Sequence, residues 1–193
     1  GTTTIEINAV SNEANTCTSY ASGTITDSFV ISALPNVAGG TNSVAVTEPL
    51  CLGSNGTVTF NASAMANGTY NIAYTLTGAN SSTQTASGVV VASGTGTFTI
   101  PSSALTNAGT TTISLSSVVA SASGCTTTIT SGTITDSFVI NALPNVTGGT
   151  NSIAVTEPLC LGSNGAVTFN ASALTNGTYN IAYTLSGANA STQ

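Results

Sequence analysis

Tyr70-Asn71-Ile72-Ala73-Tyr74-Thr75-Leu76 puts a large apolar or aromatic side chain at every second position, and Thr57-Val58-Thr59-Phe60-Asn61 does the same a few residues earlier. Side chains along a β-strand alternate between two faces. Tyr70, Ile72, Tyr74 and Leu76 therefore point together into a core, and the intervening amides and hydroxyls face outward. In this register the two tyrosines are core residues rather than a platform for stacking sugars. Working outward, strands are expected at Ser43–Glu48, Gly88–Ala92, Gly96–Ile100, Thr110–Val119 and Thr24–Ile31, with a copy of the last at Thr133–Ile140. Turn signals separate them at Gly53-Ser54-Asn55-Gly56, Asn67-Gly68, Gly78-Ala79-Asn80 and Asn107-Ala108-Gly109. No helical period of useful length appears. The alternation also argues against disorder in a chain so rich in Ser, Thr and Gly.

The 63 residues from Ser22 to Gln84 return as Ser131 to Gln193, an offset of 131 − 22 = 109, with eight mild differences. Gly1-Thr2-Thr3-Thr4-Ile5 returns as Gly109-Thr110-Thr111-Thr112-Ile113. A period of that length is one domain rather than one turn of a solenoid. Roughly seven short strands in about 100 residues is the pattern of an immunoglobulin-like sandwich. The expected fold class is all-β: tandem immunoglobulin-like β-sandwich domains of about 109 residues, arranged as an extended string. Boundaries fall at Leu34-Pro35-Asn36 and Leu143-Pro144-Asn145, each followed by a Gly-Gly turn (Gly39-Gly40 and Gly148-Gly149). Residues 1–35 read as the C-terminal part of a preceding repeat, 36–144 as a complete repeat, and 145–193 as the N-terminal part of the next. The chain reads as a window onto a longer repetitive polymer.

Lys, Arg and His are absent, and six acidic residues give a formal charge of −6. Without cations there is no grip on phosphate, so nucleic-acid binding and basic docking to anionic lipid drop out. Without His or Lys there is no Ser/His/Asp, Cys/His or Schiff-base centre, so no catalytic residue and no enzymatic role are expected. No apolar run is long enough to span a bilayer, so no membrane insertion by this segment is expected.

Each repeat carries two cysteines, Cys51 and Cys125 in the complete one. A Cys51–Cys125 disulfide is expected to close it, stabilising by roughly 4 kcal/mol through loop closure and implying an oxidising compartment. Cys17 and Cys160 belong to the truncated repeats, with partners expected outside the sequence. No cofactor or metal is expected. The candidates for calcium at a domain junction are the acids that recur in each repeat, Asp27, Glu48, Asp136 and Glu157. Two carboxylates per repeat fall short of the six to eight oxygens that calcium takes. Asp27 alternates with Ile25 and Phe29, which aims it at the core unless a bulge turns it away or it caps backbone amides. Asn-x-Ser/Thr sequons mark Asn55, Asn61, Asn67, Asn80, Asn145, Asn170, Asn176 and Asn189 as candidate glycan acceptors.

Asn141-Ala142-Leu143-Pro144-Asn145-Val146-Thr147-Gly148-Gly149-Thr150, followed by a strand and Cys160, resembles the junction between immunoglobulin-like repeats of giant Bacteroidota surface proteins. Gly68–Leu76, Gly96–Pro101 and Ile113–Leu115 with Gly124-Cys125 resemble other segments of those repeats. The resemblance implies an extracellular, cell-surface location, export by the type 9 secretion system, and a gliding-motility adhesin type of filament. The implied function is a structural stalk, with binding chemistry elsewhere in the polypeptide. Implied partners are neighbouring repeats, laterally associated copies, and secretion-system and surface-anchor proteins. Two rivals stand beside it. One is a head-to-tail filament in which 145–193 of one chain is completed by 1–35 of the next. The other is a repeat that itself binds glycan or a surface, since Glu6–Tyr20 differs sharply from Ser114–Thr130 where other segments are near copies.

Overall fold

The computed structural model describes residues 1–130, 132–189 and 191–192, the last two by backbone only. The ends of the repeated stretch, Ser131 and Gln193, lie outside the described residues. The fold is all-β, with only two short 3-10 turns, Ser102–Ala104 and Gly187–Asn189, among the described residues. The chain divides into two compact units, Gly1–Ala142 and Leu143–Gln193.

The first unit opens with β1 (Thr2–Glu6), β2 (Ala9–Ser11), β3 (Thr18–Tyr20) and β4 (Thr26–Val30). β1 pairs antiparallel with β4, and β2 with β3. Then come β5 (Asn42–Val46), β6 (Leu50–Cys51), β7 (Gly56–Ala62), β8 (Gly68–Gly78), β9 (Ser82–Ala92), β10 (Thr95–Ile100), β11 (Gly109–Ala120), β12 (Thr126–Thr128) and β13 (Thr135–Asn141). These nine form one sheet in the order β5-β7-β10-β9-β8-β11-β13-β6, with β12 hung on β11. The link between β10 and β9 is only two residue pairs at the Ser93-Gly94 hairpin. There the sheet folds over, and its far strands β5 and β13 come face to face. Ser93 and Gly94 both have positive φ (50° and 75°), which suits a two-residue hairpin to the strand twist.

The curled sheet closes on one apolar interior, consistent with a β-sandwich. Val58 and Phe60 of β7, Ile72, Tyr74 and Leu76 of β8, Ile113 and Leu115 of β11, and Phe138 and Ile140 of β13 are all buried there. Tyr74 and Phe98 rings meet at 5.4 Å between centroids. The alternation read from 57–61 and 70–76 is thus the packing pattern of β7 and β8, including the burial of Tyr70 and Tyr74. The expected strands are present, with β5 stopping at Val46, β9 starting at Ser82, and β4 and β13 starting two residues late; the short β2, β3, β6 and β12 are additional to those expected.

Residues 1–32 repeat 109–141 in detail. Thr2↔Val30 through Glu6↔Thr26 reproduces Thr110↔Val139 through Ser114↔Thr135. The Thr4–Ser28 hydroxyl contact (2.9 Å) copies Thr112–Ser137 (2.7 Å). Yet Phe29 is 45% exposed where its counterpart Phe138 is 1% exposed.

The second unit holds β14 (Asn151–Val155), β15 (Val167–Ala171), β16 (Thr184–Leu185) and β17 (Ser191–Thr192), paired β14–β15 and β16–β17. β14–β15 keeps the β5–β7 register, with Ile153↔Phe169 copying Val44↔Phe60. The Asn145 side chain accepts from the Gly148 amide at 2.9 Å as Asn36 does from Gly39. Tyr183 is 49% exposed where Tyr74 is 1% exposed. Local hairpins therefore form from local sequence, whereas burial needs strands that arrive from far along the chain.

Candidate functional site

β5, at one edge of the sheet, faces β13, which carries only the two-residue β6 on its outer side, across a seam that no extended backbone ladder closes. The two acidic residues of the repeat close it. The Val46 amide donates to Asp136 Oδ2 at 2.8 Å, and the Val139 amide donates to Glu48 Oε1 at 2.6 Å. Each carboxylate thus reaches across to the other strand's backbone, and both bonds are charge-assisted. Just beyond, β6 pairs parallel with β13 through Leu50↔Ile140 and Cys51↔Asn141. There Leu52 donates to the Asn141 carbonyl at 2.9 Å, and the Asn141 side chain donates to the Leu50 carbonyl at 3.1 Å.

This seam is where the two candidate calcium ligands of the complete repeat lie. Asp136 sits half-buried between inward-facing Ile134 and Phe138, and it caps a backbone amide. Its copy Asp27 accepts from its own neighbour, the Ser28 amide, at 2.9 Å. Glu157, the copy of Glu48, is exposed. No group of three or more Cys, Asp or Glu that could hold a metal ion occurs among the described residues.

The expected Cys51–Cys125 disulfide is not formed, and all four cysteines are free thiols. The reason is geometric. Cys51 is level with Asn141, beside the Gly109 end of β11, where Gly109 pairs with Ile140. Cys125 lies past the other end of β11, where its carbonyl accepts from the Ala120 amide at 2.9 Å. A twelve-residue strand separates them, on the order of 35 Å at about 3.3 Å per residue. A disulfide needs Cα atoms roughly 4.4–6.8 Å apart.

The repeat therefore has two poles. At the N-pole, where the chain comes in, Thr127 Oγ1 donates to the Pro35 carbonyl at 2.7 Å and Cys125 Sγ approaches the Ser32 carbonyl at 3.8 Å. At the C-pole, where the chain leaves, sit Cys51 and Asn141.

Of the eight sequon asparagines, Asn55, Asn67, Asn145, Asn170, Asn176 and Asn189 are exposed and Asn61 is half-exposed. Asn80 is a correction. It is 3% exposed, and its Nδ2 donates to the Asn107 carbonyl and to Thr111 Oγ1, both at 2.9 Å. Its Oδ1 accepts from the Asn107 amide at 2.9 Å. A sugar on that nitrogen would take the place of one of its two N–H groups, break at least one donor bond and have no room at a buried site, so Asn80 staples the loop before β11 instead. Nothing in the sequence distinguishes this amide from the others; Thr111, fully buried beside it, lies in an ordinary-looking Thr run. Burial raises the Tyr74 phenol above its usual value, fitting a packing residue.

Among the described residues no helix is long and apolar enough to cross a membrane. Comparison with protein-family models, with curated proteins and with solved structures gives no match.

Proposed function

We propose that this chain is a structural stalk segment of a long, secreted, repetitive cell-surface adhesin, built of tandem immunoglobulin-like domains and without a catalytic role. The observation that carries the reading is polarity. The repeat receives the chain at one pole and releases it at the other, about one β11 length away. Repeats joined by such short links make reach rather than a compact body. The strand arrangement supports the immunoglobulin-like assignment: β5-β7-β10 form one layer and β9-β8-β11-β13 the other. Further support comes from the partial repeats, which reproduce the registers of the complete one. Neighbouring repeats are the primary partners. Laterally associated copies, an anchor and a type 9 secretion apparatus belong to the same reading, through the resemblance of the junction sequence.

A second reading has one observation in its favour. Residues 1–31 expose the core face of the β11–β13 half, and 151–185 expose that of the β5–β8 half, so copies could complete each other head to tail. The completed domain would have no β10 and little of β9. Phe98, Ile100, Val89 and Val91, all buried in the intact repeat, would have no counterpart, so the stalk is preferred.

The test is the mass of the native polypeptide under denaturing, reducing conditions. Several hundred kilodaltons is expected. A mass near 18.8 kDa would overturn the stalk and favour head-to-tail assembly.

A further inference from the structure

We propose that disulfides link successive repeats, joining Cys51 at the C-pole of one repeat to the counterpart of Cys125 at the N-pole of the next. The proposal rests on the tandem reading above. Its geometry comes from a carbonyl seen in two settings. In the complete repeat, the Asn141 carbonyl accepts from the Leu52 amide at 2.9 Å, which places Cys51 directly alongside. The counterpart of Asn141 in the preceding repeat is Ser32. Residues 1–32 hold the same strand registers as 109–141. The thiol of Cys125 lies 3.8 Å from that Ser32 carbonyl.

One carbonyl oxygen at the junction is thus the neighbour of both sulfurs. It would accept from the residue after the first repeat's Cys51 counterpart, and it is touched by Cys125 of the second repeat. Cys51 is exposed and Cys125 half-exposed, so both sulfurs are free to turn toward each other. A disulfide needs Cα atoms roughly 4.4–6.8 Å apart, and placing both cysteines beside one carbonyl is compatible with that. Pairing inside one repeat fails the same test by about 30 Å, because the intervening twelve-residue strand is about 35 Å long. On this scheme, the partners of Cys17, Cys51, Cys125 and Cys160 all fall in repeats beyond this sequence.

The chemistry is thiol–disulfide exchange. A thiolate attacks an external disulfide, such as that of a thiol oxidoreductase or oxidised glutathione. The second cysteine's thiolate then attacks the mixed disulfide at the repeat's own sulfur and displaces the remaining external thiol. The two repeat thiols give up two electrons and two protons to form the S–S bond, and the external disulfide leaves as two thiols. The product spans the linker, so neighbouring repeats are tied by a second covalent path.

The test is the full chain with one further copy of residues 36–144 inserted after Pro144, refolded with oxidised glutathione. Free thiols are then counted by alkylation and intact mass. One disulfide per chain is expected, leaving four of six cysteines to alkylate (the four present plus two inserted). Cys51→Ser in the first copy, or Cys125→Ser in the second, should abolish the bond. Cys125→Ser in the first copy should leave it intact. Two disulfides in the parent, or loss of a bond in that last variant, would mean pairing within a repeat and would overturn the proposal. Six free thiols in a chain whose inserted copy shows full hydrogen-exchange protection would overturn it too, while leaving the tandem reading standing. An inserted copy that gains no protection would sink both.

Discussion

Replacing Asp136 by Ala removes one of the two bonds that close the seam, and the repeat supplies its own control. The carboxylate is half-buried, is charged, and accepts the Val46 amide at 2.8 Å. A hydrogen bond to a charged group contributes roughly 1.5–3 kcal/mol, and an amide left without a partner costs a similar amount. We expect Asp136→Ala to destabilise the 36–142 region by about 2 kcal/mol, which for a domain of this size lowers Tm by about 8–15 °C. Glu48→Ala should cost less, because that side chain is exposed and water replaces part of what is lost. The two losses should be less than additive: once one bond opens, the other no longer holds a closed seam. Asp136→Asn should fall between, since it keeps an oxygen in place and loses the charge. Asp27→Ala is the control. It is the same residue in the same local sequence, but it accepts only from the Ser28 amide beside it, so it should shift stability by less than about 0.5 kcal/mol. Urea denaturation followed by tyrosine fluorescence gives the energies, and exchange rates of the Val46 and Val139 amides localise them. Equal effects at Asp27 and Asp136, or unchanged protection at those two amides, would refute the seam as a stabilising device.

Three further outcomes follow from the same packing. Ile72→Ala should cost about 2–5 kcal/mol as a buried truncation, while Ile181→Ala, the same change at its exposed copy, should be nearly silent in this chain by chemical denaturation. Burial raises the Tyr74 pKa, so the folded state prefers the neutral phenol. That contribution is complete below the unfolded value near 10 and is lost as pH rises through the higher folded value, as ultraviolet titration and stability curves above pH 10 should record. Gly78→Ala puts a methyl 2.6 Å from the Thr110 carbonyl at φ +93°; it should destabilise by at least about 1–3 kcal/mol, and a stability equal to the parent would contradict the described turn.

What the sequence made legible was local. Alternation at Tyr70–Leu76 and Val58–Phe60, and the turn residues between strands, follow from neighbours two to four positions apart. The same local rules let Asn145 and Asn36 build identical turns in very different surroundings. What stayed hidden depends on partners far along the chain. Asp136 meets Val46 across 90 residues and Glu48 meets Val139 across 91, a pairing that no short-range pattern encodes. Alternation aimed Asp27 at the core, yet Asp27 is exposed and its copy Asp136 only half-buried; capping of an amide, the other reading, is what both side chains do. Loop-closure reasoning failed for the cysteines because it counts residues between them and is blind to a strand lying in between. Asn80 was indistinguishable from the exposed sequon asparagines for the same reason: its burial depends on Asn107 and Thr111.

The seam and the poles bear on one mechanical question. β5 begins near the N-pole and β13 ends at the C-pole. The contacts Val46–Asp136, Glu48–Val139, Leu50–Ile140 and Cys51–Asn141 advance together along both strands, so the two run parallel. Tension applied to the two ends of the repeat therefore tries to slide these strands past each other. The carboxylate bonds and the β6 bridge are loaded together in shear, and none can be opened singly like a zipper. That geometry gives a reason for placing the repeat's only two charges where they are. A disulfide from Cys51 to the next repeat would attach beside the end of the same seam, so part of the load would bypass the linker and enter there. On this argument Asp136→Ala should reduce the unfolding force of a repeat as well as its equilibrium stability, whereas Ile72→Ala, deep in the core and off the seam, should reduce stability with a smaller effect on force.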